Sequence, residues 1–325
     1  MYKSLSANIY QTGDSRVFKL ETSVIDPPKP NQVLLKQTAI GVNYIDTYFR
    51  SGLYPVELPA TLGDEAVGII EQVGEGVSEF SAGQRVAYPA AKGAYTQYRT
   101  IDTKELVPVP DGVDDKTVAA SLLRGMTVEY LFCRLYKLTA NDTILIHAAA
   151  GGVGQIACQW ARAIGATVIG TVSSAEKAQT AKLNGCNFVI NYREQDFVEA
   201  VNDITKGEKV DVVYDGVGKD TFMKSLDCLR VRGLMVSFGN ASGKPDPLDV
   251  LELSKKGSLY LTRPTLYHYT RNREEILESA ARYLNMLEKS RIKIQIGETF
   301  ALSDVTKAHD YLVQRNRIGS PVLIP

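Results

Sequence analysis

The sequence predicts an α/β protein of two domains: a doubly wound parallel sheet and a second, mainly β, barrel-like domain. Three observations lead there. The chain has 325 residues, more than one hydrophobic core ordinarily serves. Its middle part alternates short apolar β-prone runs with helices of about 10 residues, the rhythm of βαβ units under a parallel sheet covered on both faces. Its first 125 residues carry short β runs broken by Gly and Pro instead, the pattern of a compact antiparallel barrel. The parallel-sheet domain is expected over 126–263, inserted between 1–125 and 264–325, which together form the other domain.

In chain order, Val33–Gln37 alternates and is β-prone, and Ala66–Val73 and Arg85–Pro89 follow, separated by Gly74–Gly76 and Ala82–Gly83. Pro27, Pro28 and Pro30 mark a turn. Thr117–Leu135 has apolar residues at helical spacing, with an interruption expected around Gly125. The alternation then runs Thr143–His147 (strand), Gly154–Ile164 (helix), Thr167–Val172 (strand), Ala175–Asn184 (helix) and Phe188–Ile190 (strand). It continues through helix Gln195–Thr205, strand Val210–Asp215, helix Phe222–Leu229 and strand Leu234–Phe238. Arg273–Glu288 is an amphipathic helix with Ile276, Ala280, Tyr283, Leu284 and Leu287 on one stripe. A strand over Thr299–Leu302, a helix through Val313 and a strand over Pro321–Ile324 close the pattern.

Lys plus Arg and Asp plus Glu number 37 each. That balance argues against nucleic acid or an anionic membrane as the main partner, since both ask for an excess of positive charge. Cys133, Cys158, Cys186 and Cys228 form no CxxC pair, so reduced thiols in a cytoplasmic setting are expected. No secretory leader and no membrane-spanning run is read from the sequence.

The sharpest local signal is the run from Ile144 to Gln155, in which a buried strand enters Ala148, Ala149, Ala150, Gly151 and Gly152 and leaves as a helix. Residues with almost no side chain let the backbone approach a pyrophosphate, and the helix N-terminus attracts its charge. Against the G-x-G-x-x-G template the match is Ala149, Gly151 and Gly154, with Ala149 in the place of a turn glycine. An NAD site carries an acidic residue at the tip of the second strand. Here that strand ends in Ser173 and Ser174, with Lys177 just beyond. Two hydroxyls and an ammonium suit a 2′-phosphate, with Tyr192 after the third strand near the same group, so NADPH is the expected cofactor.

These residues carry a resemblance. Asn141, Asp142, Leu145, Ala149, Ala150, Gly151, Gly152, Gly154, Gln159 and Arg162 resemble the signature of the quinone oxidoreductase/ζ-crystallin family of medium-chain dehydrogenases/reductases. Gly41–Tyr48, Arg50–Pro55, Gly63–Gly68, Asp215–Gly218 and Phe238–Asn240 agree, so the resemblance covers essentially the whole chain. It implies a Rossmann domain inserted into a GroES-like catalytic domain, with the cofactor in the cleft and a homodimer as the common assembly. It also implies site residues. Asn43 and Tyr44, Ile45, Asp46, Thr47 and Tyr48 face the nicotinamide end, which Tyr130 also approaches. Gly152 and Val153 lie at the pyrophosphate; Ser173, Ser174, Lys177 and Tyr192 lie at the adenosine 2′-phosphate. Val217, Phe238, Gly239, Asn240, Thr262, Arg263 and Pro264 border the nicotinamide side, and Arg315 reaches the cofactor from the tail.

Alcohol-oxidising relatives hold a catalytic zinc through cysteine and histidine. Here Asn43 takes the place of the first cysteine and Asp64 that of the histidine, and no cysteine-rich lobe lies between Arg85 and Thr100, so no metal is expected. His147 reads as a packed neutral histidine at a strand end, His268 and His309 as surface or helix residues, and Glu65 as a hydrogen-bonding anchor. Without a Lewis acid, reduction of an electron-poor acceptor is the natural chemistry. Asn43, Tyr48 and Tyr54 are the candidate groups for orienting the acceptor's oxygen. The expected reaction is NADPH-dependent reduction of a quinone. Reduction of an enone or 2-alkenal double bond stays open, as does a non-catalytic NADPH-binding, RNA-contacting role like that of ζ-crystallin. The β-prone run Ser258–Thr262 offers an edge for the homodimer.

Overall fold

The structure, a computed structural model, describes residues 2–314, 317 and 319–325. Arg315, assigned above to the cofactor, lies outside them. The chain divides into two compact units: residues up to Met126 together with Tyr269–Pro325, and Thr127–His268.

The first unit opens with a hairpin absent from the sequence reading, β1 (Tyr2–Ile9) antiparallel to β2 (Phe18–Ile25). β2 is the edge of a three-stranded sheet and six of its eight residues are exposed, so it needs no apolar alternation and shows none. β3 (Gln32–Gly41) is the longest strand of the unit and leads into a helix that the sequence reading also lacked, α1 (Tyr44–Ser51). β4 (Ala60–Thr61), β5 (Ala66–Val73), β6 (Arg85–Tyr88), β7 (Tyr98–Asp102) and β8 (Val107–Pro108) follow. β3 pairs antiparallel with both β5 and β7, burying Val33, Leu35, Ile40, Ile70, Val86 and Tyr88 in one core.

Two helices succeed the strands, α2 (Asp115–Ala119) and α3 (Leu122–Glu129), and a π-helical run covers Tyr130–Leu135. The expected interruption at Gly125 is displaced. The break falls at Ala120 and Ser121, whereas Gly125 sits inside α3, where a β-carbon would strike the Tyr283 ring. The glycine reads as a helix breaker in sequence, but packing is what demands it.

The second unit is a Rossmann-like sheet of six parallel strands. Its elements are β9 (Thr143–Ile146), α4 (Gly152–Ile164), β10 (Thr167–Val172), α5 (Ala175–Leu183), β11 (Phe188–Asn191), α6 (Phe197–Ile204) and β12 (Val210–Asp215). α7 (Phe222–Asp227), β13 (Leu229–Ser237), α8 (Leu251–Lys255), β14 (Tyr260–Thr262) and α9 (Leu266–Tyr269) complete the run. Strand order is β11-β10-β9-β12-β13-β14. The order reverses between β9 and β12, which is where open parallel sheets bind ligands. β13 begins five residues before the expected Leu234, at Leu229, and its residues Arg230, Val231 and Arg232 are exposed, so no buried alternation marks that stretch. Leu145, Ile169, Ile190, Val213 and Met235, one from each of five strands, build the core on one face.

The chain then returns to the first unit through α10 (Arg273–Glu288), β15 (Ile296–Ala301), α11 (Val305–Val313) and β16 (Ser320–Ile324). β16 runs parallel to β15 and antiparallel to β3, so the sheet reads β15-β16-β3-β5-β6-β8, with β7 also on β3. Among the described residues no helix is long and apolar enough to cross a membrane.

Candidate functional site

The turn after β9 is built to expose backbone. Ala148 holds φ +53°, the left-handed region that a residue with a β-carbon adopts only at a cost. Its carbonyl accepts from the Gly151 N–H at 2.7 Å. Gly151 caps α4 with no side-chain acceptor, so the N–H groups of Gly152, Val153 and Gly154 open the helix with no carbonyl one turn back. A β-carbon on Gly154 would collide with the Ala148 carbonyl and the Ala149 backbone, so only glycine lets α4 pack this close to the strand end. Donors converge on one small space beside positive dipole, an anion site made of main chain.

Around that turn the strand ends bring together most residues named for this unit. Ser173 and Ser174 follow β10; Ser174 caps α5 by accepting from the Lys177 N–H, and Lys177 Nζ lies 3.3 Å from Ser173 Oγ. Tyr192 follows β11 with its ring exposed, its N–H bonded to the Val172 carbonyl at the neighbouring strand's tip. Val217 follows β12, fixed by its N–H on the buried Asp215 carboxylate (2.7 Å), which also accepts from Gly218 N–H and Thr221 Oγ1. Phe238, Gly239 and Asn240 follow β13. Thr262 ends β14, and Arg263 and Pro264 follow it. Arg263 ties these two ends together through the Ser237 and Gly239 carbonyls (3.0 Å each) and the Asn240 amide oxygen (3.2 Å). Tyr130 is buried at the head of the π-helical run.

The first unit contributes a cluster of side chains. Asn43 precedes α1; its N–H donates to Asp46 (2.8 Å), its Nδ2 to Glu65 Oε1 (2.6 Å), and its Oδ1 accepts from Arg124 Nε (3.1 Å). Glu65 Oε2 accepts from the Leu123 N–H (2.6 Å), the anchoring role expected of it. Burial pushes the Glu65 carboxyl up to about 7 despite the lowering pull of Arg124. Asp46 is wholly buried and accepts from the Tyr95 hydroxyl (2.7 Å), while Oδ1 finds no partner among the described residues. Burial, reinforced by the neighbouring Asp64, raises the Asp46 carboxyl well above its usual range. Thr47 spends its hydroxyl on the Tyr44 carbonyl, and Ile45 is half-buried. Tyr44, Tyr48 and Tyr54 form an aromatic wall, with ring centroids 5.7 Å apart from Tyr44 to Tyr48 and 5.0 Å from Tyr48 to Tyr54.

The histidines separate cleanly. His147 is buried between Thr171 Oγ1 (2.9 Å) and Ser225 Oγ (2.8 Å), and burial lowers its pKa. His268 is exposed on α9. His309 departs from a surface reading: on α11 it is fully buried, its Nδ1 taking a bond from Arg50 and its Nε2 facing the Tyr95 hydroxyl, both at 3.0 Å. Burial first, and then the Arg50 charge, bring it down to about 3, so it is neutral at physiological pH.

Residues 29–111 match the alcohol dehydrogenase GroES-like domain, and 152–285 match the zinc-binding dehydrogenase family. Quinone oxidoreductase 1 of Escherichia coli is 48% identical over 92% of each chain, and a 2-haloacrylate reductase of a Burkholderia species is 46% identical over 99% of each. The crystal structure of Escherichia coli quinone oxidoreductase complexed with NADPH superposes with a TM-score of 0.96, covering 99% of this chain and 100% of that one at 45% identity. The chain belongs to the quinone oxidoreductase family. Within that family's wider kinship the word zinc calls for a test against the residues present. Asn43 and Glu65 are bonded to each other, and Arg124, itself a cation, sits on the Asn43 oxygen. Such a donor set, without thiolate or imidazole, does not fit a zinc ion. Among the described residues no three His, Cys, Asp or Glu side chains gather closely enough to hold a metal ion. For this member of the quinone oxidoreductase family, the sequence reading lacked Arg124, Tyr95 and the buried His309. Arg124 left a signal: it is the one charged residue between Lys116 and Glu129, a lone cation in an apolar helical stretch.

Proposed function

We propose that the chain is an NADPH-dependent reductase of conjugated carbonyl compounds, with a quinone as the principal acceptor. The observation that carries this reading is the reversal of strand order beside the alanine–glycine turn, with Ser173, Ser174 and Lys177 at the adjoining strand tip. The turn at Gly152 and Val153 holds the pyrophosphate, and Ser173, Ser174, Lys177 and Tyr192 hold the 2′-phosphate. In the inserted unit Tyr130, Val217, Phe238, Gly239, Asn240, Thr262, Arg263 and Pro264 are the nicotinamide-side residues, and in the flanking unit Tyr44, Ile45, Asp46, Thr47 and Tyr48 have that role. The contact from Arg315 rests on sequence alone. NADPH supplies the hydride. Asn43, Tyr48 and Tyr54 orient the acceptor oxygen and exclude water from it. A hydroquinone anion is delocalised and needs only a late proton, so orientation is most of what the protein must provide.

The likeness to 2-haloacrylate reductase favours a second reading, reduction of an activated C=C bond, which asks the same groups to hold a carbonyl or carboxylate oxygen. Two copies pair along the β14 edge, where Tyr260 is 61% exposed beside exposed Leu261 and Val231. Four free cysteines suit the cytoplasm. The test is a steady-state panel of soluble quinones, 2-alkenals and 2-haloacrylates with NADPH and with NADH, on protein sized by light scattering. The expected result is fast quinone reduction with NADPH, much slower with NADH, by a dimer. Equal rates with both nucleotides refute the 2′-phosphate assignment, and a preference for haloacrylate promotes the second reading.

A further inference from the structure

The Asn43 amide is gripped on both sides, by Glu65 Oε1 at Nδ2 (2.6 Å) and by Arg124 Nε at Oδ1 (3.1 Å). The same guanidinium reaches Ser320 Oγ through Nη1, and its Nη2 has no partner among the described residues. A primary amide exchanges its two ends by a half-turn. The two grips respond differently to such a turn. Arginine carries donors only and keeps its proton, so it tolerates one orientation, with Oδ1 toward it. A carboxyl is less selective: ionised, it requires Nδ2, but protonated it can donate to Oδ1. Glu65 sits at about 7, so both of its forms exist at neutral pH, and it alone would leave the amide free to turn.

We infer that Arg124 is a positioning residue, which locks the Asn43 amide so that the N–H not used by Glu65 is presented to the acceptor's oxygen. This rests on the reductase reading above. The acceptor gains a hydride, and with it two electrons; negative charge gathers on its oxygen; a proton from water completes the product, and NADP+ is the other product. An N–H aimed at that oxygen stabilises the charge as it forms, whereas a turned amide would set Oδ1 against it. Glu65 is faced by Arg124, Asp64 and Asp46, and Arg124 by Glu65, Arg317, Tyr283 and Asp46, so the response to pH belongs to that buried group of charges.

Arg124→Met removes the donors and the charge at similar length; losing the cation also raises Glu65 further. The expected outcome with a soluble para-quinone is a kcat about 100-fold lower at pH 7. It recovers toward pH 9 as Glu65 ionises and again requires Nδ2, and NADPH affinity by fluorescence titration is unchanged. Arg124→Lys restores much of the rate at pH 7. In an Asn43→Ala background, Arg124→Met costs nothing more. A loss that is flat with pH, a parallel loss of NADPH affinity, or additive losses in the double variant overturns the inference. If Arg124→Met does not fold, Arg124→Lys and its combination with Asn43→Ala carry the same test. A wild-type protein that turns over no acceptor removes the reductase reading itself, a different result from active wild type with pH-flat variants.

Discussion

The turn over Ala148–Gly154 and the cluster around Asn43 are built in opposite ways. The turn uses main-chain N–H groups from consecutive residues, and its side chains matter by being absent. The cluster uses side chains drawn from positions 43, 46, 65, 95, 124 and 309, almost all buried and most of them titratable. Backbone amides have no proton to lose near neutral pH and no rotamer to fix, so the turn is insensitive to pH and intolerant of bulk. The cluster has the converse properties. Its acids are raised and its histidine lowered by the same burial, so its hydrogen-bond directions depend on protonation.

The contrast can be broken at its strongest point first. Gly154→Val puts carbon where the Ala148 carbonyl lies, and NADPH affinity is expected to fall about 1,000-fold, or roughly 4 kcal/mol. Near-normal binding by calorimetry would mean that the turn is not the phosphate site. Next, Tyr95→Phe deletes the donor to Asp46 and the partner of His309 deep in the cluster. Denaturant unfolding should show a loss of about 2 kcal/mol with no change in NADPH affinity. An affinity that moves with it would show that the two regions are not separable. The smallest effect sharpens the contrast from the other side. Lys177→Ala removes the one cationic side chain, half-buried, from the group proposed for the 2′-phosphate, and the Kd for NADPH should rise about tenfold, close to 1.4 kcal/mol, with NADH unaffected. A uniform loss for both nucleotides would assign the lysine to the fold.

The same contrast explains what could be read from the sequence. A backbone-built turn must be contiguous and small, and so the run Ala148–Gly154 stood out, as did the strands whose tips surround it. The parallel sheet was legible because its strands have short buried apolar runs at their centres, as in 144–146 and 212–214. β2 and the start of β13 were not, since exposed residues leave no periodicity. Helix α1 is capped by Asn43, whose N–H bonds to Asp46, a local cue outweighed by the surrounding β-type pattern. The cluster's partners were illegible for another reason: nothing in Asn43, Arg124 or His309 announces a neighbour 81 or 259 positions away. Only the isolation of Arg124 among apolar residues hinted that it was paid for by a buried partner.

The place of β16 has a consequence for biogenesis. It is an interior strand, flanked by β15 and β3, although it is made from residues 320–324. The Rossmann-like sheet has all six strands once Thr262 has left the ribosome, whereas β3 waits for a neighbour almost 280 residues downstream. The inserted unit is therefore the first able to fold during synthesis, and the flanking unit must keep the β3 edge from pairing elsewhere until translation has nearly delivered its missing strand.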